Sequence, residues 1–236
     1  MTAARPATRP ACRIKCCGLM RPEDVAAVNR AMPDYAGFIV SFPKSHRSLT
    51  PAQAAPLAAG LDAGIRPVAV FVDRPAREVA AAAAEIGAWA VQLHGSEDEA
   101  YLAQLRTLTD CRIWQAFKVR SDADLARAAA SSADLLLLDS GAGTGRTFDW
   151  DLAARFAREF DRPFLLAGGL TPENIPQAIE RVHPFGVDIS SGIETGKRKD
   201  PAKIAAAVAA AHGANGEAAA THHGAATGPW RPDGYA

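Results

Sequence analysis

Cysteine is scarce in this chain, long apolar runs are missing, and neither sign of charge is in excess. The four cysteines, Cys12, Cys16, Cys17 and Cys111, form no CxxC pair and keep no regular spacing. That excludes a disulfide framework and a thiolate zinc site, so no metal is expected and a reducing compartment fits. No stretch approaches the ~18 apolar residues of a membrane span, and the opening MTAARPATRPA lacks a secretory core. A soluble, cytoplasmic protein with no membrane partner is the expectation. Lys plus Arg and Asp plus Glu number 26 each, a formal net charge of zero. The broad attraction that nucleic acid requires is therefore absent, and any anion must be held locally. Also missing is a Gly-rich dinucleotide turn after the first apolar run, which argues against an open doubly wound sheet.

What is present is repetition. The 236 residues suffice for one large core without staples. Eight short apolar runs alternate with alanine-rich stretches of helical period: RIKCC (13–17), AGFIVSF (36–42), RPVAVFV (66–72), AWAVQL (88–93), RIWQAFKV (112–119), DLLLLD (134–139), PFLLAGG (163–169) and FGVDISS (185–191). Helix-start signals open the stretches between them, often a Pro in the first turn after Thr, Arg or Asp, as in TPAQAAPLAAG and DPAKIAAAVAAAH. Eight such units in about 200 residues predict the α/β class, a single (β/α)8 TIM barrel of parallel strands over residues 12–212. Residues 1–11 read as a flexible N-terminal segment. Residues 213–236, rich in Gly, Ala and Pro, read as a disordered tail, in which His222 and His223 are an incidental pair.

In such a barrel the C-terminal strand ends carry the chemistry, so polar residues there gain weight. Alternation along RIKCC separates the adjacent thiols: Arg13, Lys15 and Cys17 share one face, Ile14 and Cys16 the other. With the cationic side chains inward, Cys17 reaches the barrel mouth, while Cys16 packs under the helices as a small hydrophobe. A nearby Lys15 ammonium would lower the Cys17 pKa and favour thiolate. Asp139 follows four leucines. It could cap the next element; in an apolar-lined site its pKa would rise instead, fitting a general acid, and the following SGAGTGR loop is suited to move over a ligand.

Two segments look built for phosphate. LAGGLTPENI places Gly168 and Gly169 before a helix start, and VDISSGIETG offers Ser190, Ser191 and Gly192 before a short helical turn, with Asp188 just upstream. Backbone N–H groups at helix starts and small side chains let a dianion approach, in the loops where barrels commonly place it. Arg47, after the second run, could be a solvated loop charge. Over the mouth, its planar fork would suit a substrate carboxylate better than Lys44. Gln92 and His94 share a face at another strand end, in supporting positions.

Assembled in order, KCCGL, GFIVSFPKSHR, VQLHG, LLLLDS, GTGRTFDW, LAGGLTPENI and VDISSGIE closely resemble the N-(5'-phosphoribosyl)anthranilate isomerase family of tryptophan biosynthesis, from Arg13 to about Ala211. The resemblance implies an Amadori rearrangement of a phosphorylated small molecule without a cofactor. It assigns Cys17 as general base and Asp139 as general acid, Arg47 to the substrate carboxylate, and Gly168, Gly169, Ser190, Ser191 and Gly192, with Asp188 nearby, to the phosphate. Cys16 stands where the family usually carries an aliphatic residue, and Met20 where Thr is common. A monomer or homodimer is expected. Two rivals stay open: the related histidine-pathway isomerase, usually built on two aspartates, and a phosphate-binding barrel without catalysis.

Overall fold

A computed structural model describes residues 12–139 and 150–218. Strands and helices alternate: β1 (Arg13–Cys17), α1 (Pro22–Ala31), β2 (Tyr35–Val40), α2 (Pro51–Ala59), β3 (Arg66–Phe71), α3 (Ala76–Ile86), β4 (Ala90–Leu93), α4 (Glu99–Arg106), β5 (Arg112–Lys118), α5 (Asp122–Ala130), β6 (Leu135–Asp139), α6 (Trp150–Glu159), β7 (Phe164–Ala167), α7 (Ile175–Val182), β8 (Gly186–Ile189) and α8 (Pro201–Ala218). Neighbouring strands pair in parallel around the sheet, and pairing of β1 with both β2 and β8 closes the ring. The predicted eight-stranded barrel is thus the observed one.

Strand ends are set by backbone conformation more than by hydrophobicity. Ser41 (φ 54) closes β2, and Gly168 (φ 95) and Gly169 (φ 65) close β7, so the last residues of those apolar runs become loop. α8 runs past residue 212, through Gly213, to Ala218. The SGAGTGR loop, the N-terminal segment, and His222 and His223 lie outside the described residues.

Two layers of core follow from the strand period. Leu136 and Leu138 pack outward with the helix layer, whereas Leu135 and Leu137 pack inside the barrel beside Val68, Ala90, Trp114 and Leu165. A strand covered on both faces needs a continuous apolar run, which is why LLLL occurs here. Helix α3 shows the complement: Val79, Ala80, Ala83 and Ile86 are buried against the sheet, small side chains permit close approach, and Gly87 (φ 68) ends it in a left-handed cap. At the strand starts the interior is filled by aromatic rings. Trp114 meets Tyr35 edge-on at 4.9 Å and Trp89 at 6.0 Å, and the guanidiniums of Arg66 and Arg112 lie 4.6 and 4.4 Å from the Trp89 ring centre.

Candidate active site

The inward period that buries Leu135 and Leu137 brings Asp139 to the opposite, C-terminal end of the barrel, and the same alternation delivers Cys17, Gln92, His94, Ala167 and Asp188 there. All six border one cavity of about 250 Å³, together with Arg47, Gly168, Gly169, Ser190 and Ser191. Gly192 does not border it. It packs beneath the loop after β7, where an added Cβ would lie 1.9 Å from the Leu170 carbonyl oxygen, so close approach of two backbones accounts for this glycine.

Cys16 and Cys17 part company as alternation requires. Cys16 is fully buried among outward-facing core residues, and burial pushes its thiol up to about 12. Cys17 lines the cavity beside Lys15, whose ammonium interacts electrostatically with the sulfur and donates to both oxygens of Asp188, at 3.0 and 3.1 Å. Lys15 and Asp188 stand opposite each other in the β1–β8 register, which fixes the pair geometrically. Burial alone would pull the lysine down, but Asp188 and Cys17 hold it above its ordinary value, so it stays charged. Asp188 therefore sits beside the Gly168–Gly169 and Ser190–Ser191 loops with its own charge answered.

The expected lowering of the Cys17 pKa is reversed. Burial raises the thiol, and Lys15, although it acts in the expected direction, does not fully offset it while the Asp188 carboxylate pushes the same way as burial. Desolvation depends on the closed wall of the barrel, which no local reading of KCCG contains. Gly37 on β2 makes room for this arrangement: a Cβ there would come within 2.8 Å of Cys17 Sγ and 3.1 Å of Lys15 Nζ.

On the facing side, His94 Nε2 lies 3.3 Å from Asp139 Oδ2, and Gln92 Nε2 lies 3.4 Å from His94 Nδ1. The supporting position given to His94 thus becomes a contact with the carboxyl. Gln92 Oε1 is buried and has no hydrogen-bond partner among the described residues.

Arg47 reaches the mouth but is engaged. Its Nε and Nη2 donate to Glu194 Oε1 and Oε2 at 2.6 and 2.7 Å, and Lys199 Nζ donates to the same Oε1 at 2.9 Å. Burial would raise the Glu194 carboxyl, yet these donors hold it at about 2. Burial pulls Lys199 below its ordinary value despite Glu194. Glu194 and Lys199 escape the sequence reading because IETGKRKD looks like a solvated, charged loop. The one signal was the inward period of β8, which hands that loop to the barrel mouth.

The two segments read as a phosphate cradle both border the cavity. Gly168 and Gly169 hold left-handed backbone, open to glycine at little cost, just before the turn that leads to α7, and Asn174 ties this loop by accepting from Thr171 N and donating to Gly169 O. Ser190 Oγ donates to Cys17 O at 3.2 Å, joining the loop after β8 to the end of β1. Among the described residues no three His, Cys, Asp or Glu side chains gather as a metal site, and no described helix is long and apolar enough to cross a membrane.

A closed parallel barrel whose strand ends gather a thiol, a carboxyl and two glycine- and serine-lined loops around one cavity defines the class: a TIM-barrel enzyme. The family model for N-(5'-phosphoribosyl)anthranilate (PRA) isomerase matches residues 14–210. A protein of that description from Clostridium kluyveri is 40% identical over 193 residues, 81% of this chain and 94% of that one. Among solved structures, TrpF from Jonesia denitrificans is 39% identical with a TM-score of 0.75, covering 86% of this chain and 98% of its own. Phosphoribosyl anthranilate isomerase in complex with reduced 1-(o-carboxyphenylamino)-1-deoxyribulose 5-phosphate is 33% identical with a TM-score of 0.76, covering 86% and 99%. The chain belongs to the N-(5'-phosphoribosyl)anthranilate isomerase family and is an isomerase of tryptophan biosynthesis.

Proposed function

We propose that this chain converts N-(5'-phosphoribosyl)anthranilate to 1-(2-carboxyphenylamino)-1-deoxyribulose 5-phosphate, an intramolecular aldose–ketose rearrangement that needs no cofactor, with Asp139 as acid and Cys17 as base. The carrying observation is the shared cavity: Cys17 on β1 and Asp139 on β6 border the same space between the phosphate loops and Arg47. The phosphate rests against the backbone of Gly168, Gly169, Ser190 and Ser191, where N–H donors suit a dianion. Asp139 protonates the furanose oxygen, the C1–O bond breaks, and the nitrogen lone pair forms a protonated Schiff base. Cys17 thiolate removes the C2 proton, giving the enolamine, which gains a proton at C1 as its C2 hydroxyl becomes the ketone. Each group is expected to contribute ~10²- to 10⁴-fold.

The charges around the cavity support these roles. Lys15 stabilises the thiolate as it forms, and His94 beside Asp139 is placed to return the spent proton. The buried Gln92 Oε1 is an acceptor that suits a ribose hydroxyl. The test is turnover of phosphoribosyl anthranilate by the purified protein, read as loss of its fluorescence, in parallel with the phosphoribosyl amine of the histidine pathway. Conversion of the first is expected; conversion of the second alone, or tight binding of sugar phosphate with no conversion, refutes the assignment.

A further inference from the structure

Arg47 lies folded across the mouth. Its Cδ occupies the space beside Gly18 (φ 80), where a Cβ would come within 2.5 Å, so the arginine stem passes over the end of β1 only because that residue is glycine. Beyond that point its guanidinium is gripped by one edge. Glu194 takes Nε and one hydrogen of Nη2, leaving both hydrogens of Nη1 and the second of Nη2 for another acceptor. Glu194 is held in turn. It opens a two-stranded ribbon, Glu194–Thr195 with Arg198–Lys199, in which it pairs directly with Lys199, and Lys203 Nζ donates to its backbone carbonyl at 2.8 Å. Lys199 Nζ continues to the Ser190 carbonyl at 2.8 Å, inside the phosphate loop.

Charge counting alone makes Glu194 an obstacle. Arg47 and Lys199 with Glu194 sum to one positive charge; without Glu194 they would sum to two and attract an anion more strongly. Geometry points the other way. A bidentate arginine–carboxylate contact depends on the plane of the fork, and a long side chain left free must lose rotamer entropy to adopt it. With side-chain exposures of 18% and 8%, the Arg47–Glu194 pair is shielded enough to keep one orientation.

We propose that Glu194 is a positioning residue for substrate recognition. It fixes the Arg47 guanidinium by its Nε–Nη2 edge so that the remaining Nη donors receive the aryl carboxylate, and through Lys199 and the Ser190 carbonyl it sets the distance between the carboxylate and phosphate seats. The proposal rests on the activity assigned above and on Arg47 meeting the substrate carboxylate.

The experiment compares Glu194→Gln and Glu194→Asp with the unaltered protein on two substrates, phosphoribosyl anthranilate and phosphoribosyl aniline, which lacks the carboxylate. The glutamine variant is expected to raise KM for the anthranilate substrate about 10- to 100-fold, the worth of one well-placed charge-assisted contact, with kcat changed less than about threefold. KM for the aniline substrate should stay within about threefold. Asp keeps the charge toward Lys199 and shortens the grip, so it should give an intermediate KM effect confined to the anthranilate substrate; it serves as the readout should Gln prevent folding. A lowered KM in the glutamine variant would show a competitor in the carboxylate seat, and equal losses on both substrates would show scaffolding only; either overturns the proposal. The unaltered protein separates this from the reading beneath it. No turnover of either substrate fails the activity, whereas equal KM for both removes the carboxylate role of Arg47 and the proposal with it.

Discussion

The two ends of this barrel are built from the same eight strands and have opposite chemistry. At the strand starts Tyr35, Trp89 and Trp114 fill the interior, and Arg66 and Arg112 cover Trp89. At the strand ends the inward positions carry Cys17, His94, Asp139 and Asp188 around open volume. Large rings close one end and hold the strands in register; small or titratable side chains leave the other hollow. The lesson is a division of labour along each strand, in which the period-2 face that packs at one end lines the cavity at the other.

Substitutions at each end can break that comparison. Cys17→Ala should have the largest effect, a loss of at least ~10²-fold in kcat with the thermal midpoint little changed, and Asp139→Asn should follow with kcat falling more than KM rises. A variant at either position that loses activity only in step with folded fraction would make the top structural. Trp114→Ala should invert the pattern: about 3–5 kcal/mol of stability lost in denaturant unfolding, with kcat/KM of the remaining folded protein within about threefold. A large kcat loss there would mean the two ends are coupled.

The pH profile sharpens the contrast further. Because burial holds the Cys17 thiol above its ordinary value despite Lys15, the base form is scarce at neutral pH and grows as pH rises. Alkylation of Cys17 by iodoacetamide, which needs the thiolate alone and is read by mass spectrometry of its peptide, should therefore speed up with pH through and beyond about 8.5, the ordinary thiol value. A plateau already reached below pH 7 would contradict the burial argument. Cys16→Val should be the quietest change, within about 1 kcal/mol in stability and without effect on rate, since that thiol only packs.

Much of this plan was legible in the sequence, for physical reasons that can be named. Alternation told Cys17 from its neighbour, and four leucines followed by Asp139 marked a strand covered on both faces that ends in a carboxyl. The glycine pair before TPENI marked a loop that borders the cavity. Other features were hidden because they depend on distant parts of the chain. Arg47 and Glu194 are separated by 147 residues, and Lys15 and Asp188 by 173, so neither ion pair leaves a local pattern. Gly192 sits in the glycine-rich motif, but its close approach to the Leu170 carbonyl, from a loop 22 residues earlier, leaves no local pattern either. The ionisation of Cys17 depends on how completely the finished wall excludes water, which no pentapeptide reveals.

Gly37 carries the least conspicuous consequence. It offers the sulfur and the ammonium a vacancy in the wall of β2 and contributes no atom of its own to either. A sister chain could keep the cysteine, the lysine and both aspartates yet bear alanine at this position, and by any inventory of reactive groups it would look intact. Its thiol would have nowhere to sit. The place of the thiol therefore depends on an empty space, and a missing methyl group belongs among the things that hold Cys17 where it is.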